Sequence, residues 1–92
     1  MADILERRLI ISEAVTESSV GDETVLLHLD NGTYYGLDRV ATEIWAMLKE
    51  RIATRDICRK LANDYRVDLA DIEADARRFL AELEAQGIIA DA

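Results

Sequence analysis

The pattern of apolar and polar positions divides the chain into a β half and an α half. Residues 9–20, LIISEAVTESSV, are β-prone with an ambiguous register, and a first strand is placed at about 13–19. Gly21, Asp22 and Glu23 make a turn, and residues 24–29, TVLLHL, make a second strand. Asp30, Asn31 and Gly32 form a hairpin loop into a third strand at 33–37. From Asp38 onward the apolar period changes to 3.6. Asp38 caps a first helix whose inner stripe is Val40, Ala41, Ile44, Trp45 and Leu48. Residues 50–53 break it. Thr54 caps a second helix carrying Ile57, Cys58, Leu61, Ala62 and Tyr65 inward. After the link Arg66-Val67, Asp68 caps a third helix with the stripe Leu69, Ile72, Ala76, Phe79, Leu80 and Leu83. Val67 and Ile72 are spaced for a hydrophobic staple, and Gly87 ends the helix. Residues 1–8 read as a frayed lead-in, and the apolar tail after Gly87 as a segment that packs back on the core.

Loop length sets which face of the hairpin points inward. An Asn-Gly turn of two residues pairs Leu29 with Tyr34, whereas a three-residue loop with Gly32 as a bulge pairs Leu29 with Thr33. The second register collects Val25, Leu27, Leu29, Tyr35 and Leu37 on one face and leaves Leu26, His28, Tyr34 and Gly36 on the other. It is preferred as the more apolar inner face. The third strand contains no Lys, no Pro and no charge. Native sheets usually blunt an exposed edge with such residues, so an edge at 33–37 would be open to a pairing strand.

Three strands followed by three helices define an α+β fold. The short link between the second and third helices is helix-turn-helix-like, and the sheet beside it gives a winged helix-turn-helix-like layout with a three-stranded antiparallel sheet. A length of 92 residues is read as a single domain, 1–92, with an ordered core at about 9–89.

Composition narrows the function. Half the residues are apolar and 33% are charged, which is globular usage. No apolar run is long enough for a membrane span, and the first residues lack a signal-peptide layout. A single cysteine rules out an internal disulfide and fits the cytoplasm. The net charge of −8 disfavours nucleic acid and anionic membrane while allowing peptide or cationic ligands.

Candidate chemistry is sparse. His28 is the only histidine and is read as a solvated strand residue, because one imidazole without partners makes neither a zinc site nor a triad. Cys58 is read as a small buried hydrophobe, and Trp45 and Tyr65 as core. No Gly-rich phosphate loop and no calcium-loop pattern occurs. No catalytic residue, metal ligand or cofactor site is therefore assigned, and a small enzyme ranks last. Asp68, Asp71, Glu73 and Asp75 complement the dipole at the start of the third helix. Arg51, Arg55, Arg59, Lys60 and Arg66 concentrate on the second helix and its flanks. Arg51, Arg55 and Arg59 are a candidate docking patch for an acidic partner, against the alternative of a solvated face balancing Asp56 and Asp64. A winged-helix DNA-binding regulator is the rival from another class. Its recognition helix would hold Asp68, Asp71, Glu73, Asp75, Glu82 and Glu84 against only Arg77 and Arg78, which is the wrong charge for a major groove.

Residues 25–48, VLLHLDNGTYYGLDRVATEIWAML, together with 68–89, DLADIEADARRFLAELEAQGII, resemble the PqqD-like family. Members are recognition elements for ribosomally synthesised, post-translationally modified peptides. The likeness covers about residues 9–89 and is closer to the stand-alone proteins of lasso-peptide pathways than to PqqD proper, whose hairpin usually contains Pro. The resemblance implies a non-enzymatic adaptor that binds a precursor's leader peptide as an added strand on the third strand, in a groove beside the third helix. Carried over by position, the peptide-binding residues are Thr33, Tyr34, Tyr35, Gly36 and Leu37 on the strand, with Ile72, Asp75, Ala76, Phe79 and Leu83 on the helix. Implied partners are a leader peptidase and an asparagine-synthetase-like cyclase, or a radical SAM enzyme in the PqqD-like setting. A monomer, or a homodimer weakly paired through the open edge, is expected.

Overall fold

A computed structural model describes residues 3–92. A short 3-10 turn at Ile4–Glu6 precedes β1 (Leu9–Ile11), β2 (Val15–Val20), β3 (Glu23–His28) and β4 (Tyr34–Leu37). Helices α1 (Arg39–Lys49), α2 (Thr54–Tyr65) and α3 (Leu69–Ala85) follow, then β5 (Ile89–Asp91). β2, β3 and β4 form an antiparallel sheet in that order, so β2 and β4 are its edges. The fold is α+β, with this three-stranded sheet and three helices as its frame. β1 and β5 add a separate two-stranded ribbon, pairing Ile10 with Ala90. No described helix is long and apolar enough to cross a membrane.

The hairpin register differs from the expectation. Tyr35 pairs with Leu26 and Tyr34 with Leu27, and the His28 N–H donates to the Thr33 carbonyl at 2.9 Å. The loop is therefore four residues, 29–32, closed by the Gly32 N–H on the His28 carbonyl at 2.8 Å, with Gly32 at φ +72°. One extra loop residue turns β3 over. Thr24, Leu26 and His28 are buried, whereas Val25 and Leu27 are half-buried on the opposite face and Leu29 is exposed. The inward placement of Tyr35 and Leu37 stands. His28 is not a solvated strand residue. Its Nε2 donates to the Gly87 carbonyl at 3.2 Å and its Nδ1 accepts the Asp30 N–H at 3.3 Å, a tautomer set by those two partners. The apolar count could not find this face, because both faces of β3 carry aliphatic side chains and the polar one is satisfied inside.

Asp38 caps α1, its carboxylate accepting the Ala41 N–H at 2.8 Å. α1 ends in a Schellman turn, with Ile52 N–H on the Met47 carbonyl and Arg51 N–H on that of Leu48. α3 ends the same way at Gly87, with Ile88 N–H on the Leu83 carbonyl at 2.9 Å. That turn sends Ile88 and Ile89 into the core at 0% and 2% exposure. Three expected local features differ. Thr54 is the buried first residue of α2, whose N-cap position is held by Ala53 without a side-chain bond. Asp68 occupies the cap position of α3 but makes no capping bond. Tyr65 lies at the surface, its hydroxyl donating to Glu43.

Of the lead-in expected to be frayed, 1–8, residues 1 and 2 lie outside the described residues, and residues 3–8 are anchored instead. Leu5 is buried against α2 and α3. Asp3 accepts Arg77 Nε at 3.0 Å and Nη2 at 2.7 Å, and Arg55 reaches Asp3, Glu6 and Glu73. The Arg77 guanidinium holds the Asp3 carboxyl down at about 2.

Candidate functional site

Strand β4 is an edge, and the ladder fixes which of its groups are free. The Leu29 N–H donates to the Ala14 carbonyl at 2.8 Å, toward β2, while the His28 N–H faces Thr33. Antiparallel bonding alternates along a strand, so odd residues of β3 serve β2 and even residues serve β4. Tyr35 and Leu37, opposite Leu26 and Thr24, are the bonded partners. Tyr34 and Gly36 consequently aim their N–H and C=O groups away from β3. No described strand meets them there. These four main-chain groups, spaced by two residues, are what an incoming strand would bond.

The side chains alternate with the same logic. Tyr34 stands on the outer face at 70% exposure. Tyr35 turns inward toward α3, its ring centroid 6.3 Å from that of Phe79 at an interplanar angle of 50°. Its hydroxyl donates to the Glu82 carboxylate. Burial, then Glu82, pushes the Tyr35 phenol up to about 12. Tyr35, Phe79 and Glu82 thus bridge β4 to α3 beside the free edge. A peptide residue opposite Tyr35 would point toward this bridge. Its neighbours in the peptide would lie on the outer face beside Tyr34 or over Gly36. A Cβ at Gly36 would meet nothing within 4 Å, so the backbone there is bare to an approaching chain.

The residues anticipated from sequence separate into four groups. Tyr34, Tyr35 and Gly36 line the free edge. Phe79 and Ile72 show slivers of surface at 9% and 8%, and Asp75 is exposed and paired with Arg78 at 2.7 Å. Leu37, Ala76 and Leu83, at 1%, 0% and 0%, serve the core and offer a ligand no surface. Thr33 has its carbonyl on His28 and its N–H on Asn31 Oδ1 at 2.9 Å, so its backbone is already used. Sequence reading missed Glu82. Its signal was the spacing of Asp75, Phe79 and Glu82, which places all three on one helical face.

Of the basic trio, Arg51 and Arg55 line one concavity by the α1–α2 link, and Arg59 is not among its lining residues. Arg59 pairs with Asp56 at 3.0 Å on the surface. Arg55 is held in the cluster around Asp3, chiefly by Glu73 at 2.6 Å. Arg51 has no carboxylate partner among the described residues. Cys58 is buried, and burial followed by the charge of Glu73 pushes its thiol up, away from nucleophilic use. Among the described residues no three His, Cys, Asp or Glu side chains cluster to hold a metal ion.

Known proteins share this chain's sequence pattern and fold. The family model of coenzyme PQQ synthesis protein D (PqqD) matches residues 23–89. The solved structure of TbiB1 in complex with the TbiA(beta) leader peptide is 40% identical, covering 86% of this chain and 92% of that one, with a TM-score of 0.81. Lasso peptide synthetase B1 complexed with the leader peptide is 22% identical and shares the fold, covering 90% of this chain and 98% of that one at a TM-score of 0.83. No curated protein matches the chain.

Proposed function

Since the chain belongs to the PqqD family, we propose that it is a leader-peptide-binding adaptor in the biosynthesis of a ribosomally synthesised, post-translationally modified peptide, of the lasso class. It acts as one peptide-recognition domain over residues 1–92, in the cytoplasm, without catalysis of its own. The leader adds as a strand to β4 and is delivered to a leader peptidase and a cyclase. The observation that carries the reading is the pair Tyr34 and Gly36, whose unpaired main-chain groups face an edge next to the Tyr35–Phe79–Glu82 bridge. Main-chain bonds supply affinity in this mode, and pockets for alternate side chains supply specificity. The likeness to TbiB1, a protein solved with a leader peptide, supports the leader-binding part of this reading.

Only Tyr34 and Gly36 offer free backbone, so peptide contact at Thr33 and Leu37 is confined to the ends of the added strand. Ile72, Phe79 and Asp75 form the helix side of the groove, with Glu82 added. Ordering a disordered leader offsets part of the contact energy, giving a dissociation constant of about 10⁻⁸ to 10⁻⁶ M.

A proline comparison tests the reading by fluorescence anisotropy of labelled leader. Gly36→Pro removes an N–H that β3 does not use, so the hairpin should fold and leader binding should weaken at least about tenfold. Tyr35→Pro removes an N–H bonded to Leu26 and should unfold the hairpin as well. Unchanged leader affinity in a folded Gly36→Pro protein would rule out strand addition at β4.

A further inference from the structure

An open concavity of about 980 Å³ lies between the turn at Ile4–Glu6, β1 and the α1–α2 link. It shares no lining residue with the β4 edge or with the exposed face of α3. Aliphatic side chains such as Leu5, Leu9, Leu48 and Ile52 line it with one carboxylate side chain, Glu6, and Arg7, Arg8, Lys49, Arg51 and Arg55 stand around it. These are five of the eleven cations in a chain of net charge −8. Arg7, Lys49 and Arg55 are neutralised by Glu84 and Asp91, by Glu17, and by Glu73 with Glu6. Arg8 and Arg51 have no carboxylate within salt-bridge distance among the described residues, although acids outnumber cations nineteen to eleven.

Two further features mark the place. Arg51 sits at φ +61°, the left-handed region, at a helix-end position that glycine fills without strain. Arg66 holds the same conformation at φ +54° at the end of α2, and of the two only Arg51 lines the concavity. β1, which also lines it, pairs with β5 on one side only. Its contacts to β5 run through Arg8, Ile10 and Ser12, so Leu9 and Ile11 keep free main-chain groups. The charge of the rest of the molecule sorts ligands between the two sites. Residues 12–38, which include β4, contain no Lys or Arg and six acids, Glu13, Glu17, Asp22, Glu23, Asp30 and Asp38.

We infer that this concavity docks an acidic, extended segment of the enzyme that processes the bound precursor, on a surface separate from the leader edge. The inference rests on the adaptor reading for the identity of its partner. An acidic segment is repelled by the hairpin side and attracted here by the two unpaired guanidinium groups. A cationic leader is sorted the opposite way. Leader and enzyme can then be held together without competing for one surface.

The test uses the full chain, with and without leader, and the purified leader peptidase that acts on the same precursor. Affinity for the peptidase is measured by calorimetry, and leader affinity by anisotropy in parallel. Arg8→Glu with Arg51→Glu should weaken peptidase binding at least about tenfold, with leader affinity unchanged. Arg51→Gly relieves the left-handed strain, so it should melt no lower than the parent protein and still bind the peptidase several-fold more weakly. Parent-like peptidase affinity in both variants would overturn the proposal, as would an absence of peptidase binding by the parent protein. Salt-sensitive self-association lost in the double variant would overturn it too, by making a second copy the occupant. Loss of leader binding by the parent protein would sink the adaptor reading alone, since the peptidase arm is measured separately.

Discussion

His28 joins the hairpin loop to the end of α3 through Gly87, and its ring is buried with both nitrogens engaged. Its replacement by Ala should cost about 1–3 kcal/mol in urea denaturation, since two polar partners lose it at once. Asp3 makes a pH-dependent contribution. Its folded pKa of about 2 lies below the ordinary value of 3.8, so its stabilisation is complete above pH 3.8 and is lost as pH falls toward 2. An Asp3→Asn protein should therefore show a shallower loss of melting temperature across that window than the parent. Tyr35 works in the opposite direction, with a folded pKa of about 12 against 10. Its contribution is intact below pH 10 and disappears as pH rises toward 12. Glu82→Gln should move its ionisation, followed by phenolate absorbance, to lower pH. None of these three roles was visible in sequence, because each partner lies far along the chain: Gly87 from His28, Arg77 from Asp3, Glu82 from Tyr35.

At the scale of elements, β4 and its ladder make a prediction that needs no substitution. In hydrogen exchange, the amides of Tyr34 and Gly36 should exchange quickly in the free protein and become protected when leader is added. Those of Tyr35 and Leu37, already bonded to β3, should be protected in both states. Protection of all four amides without leader would mean that the edge is covered. The strands and helices themselves were legible, with α1, α2 and α3 within a residue or two of their apolar stripes. The β1–β5 ribbon was not. Three-residue strands separated by almost the whole chain carry no local period, and only the Schellman turn at Gly87 brings Ile89 back to Ile11.

At the scale of the molecule, the tail closes the core. Truncation of Ile88 to Ala should cost about 2–5 kcal/mol, because a fully buried aliphatic side chain is lost where little can collapse into the space. Guanidinium denaturation would measure it. Sequence alone determined the order of the three sheet strands and three helices, the switch from period two to period 3.6 at Asp38, and the unguarded third strand, since those depend on neighbours in the chain. It also determined a charge that turns polyanions away. Tertiary structure decided which face of β3 is inside, because loop geometry and the distant carbonyl of Gly87 settle a choice that two aliphatic faces leave open. It decided that Leu37, Ala76 and Leu83 belong to the core while Tyr35 and Glu82 bridge β4 to α3. It also gathered Arg8 and Arg51 beside one concavity, a meeting of residues that no periodicity in the chain encodes.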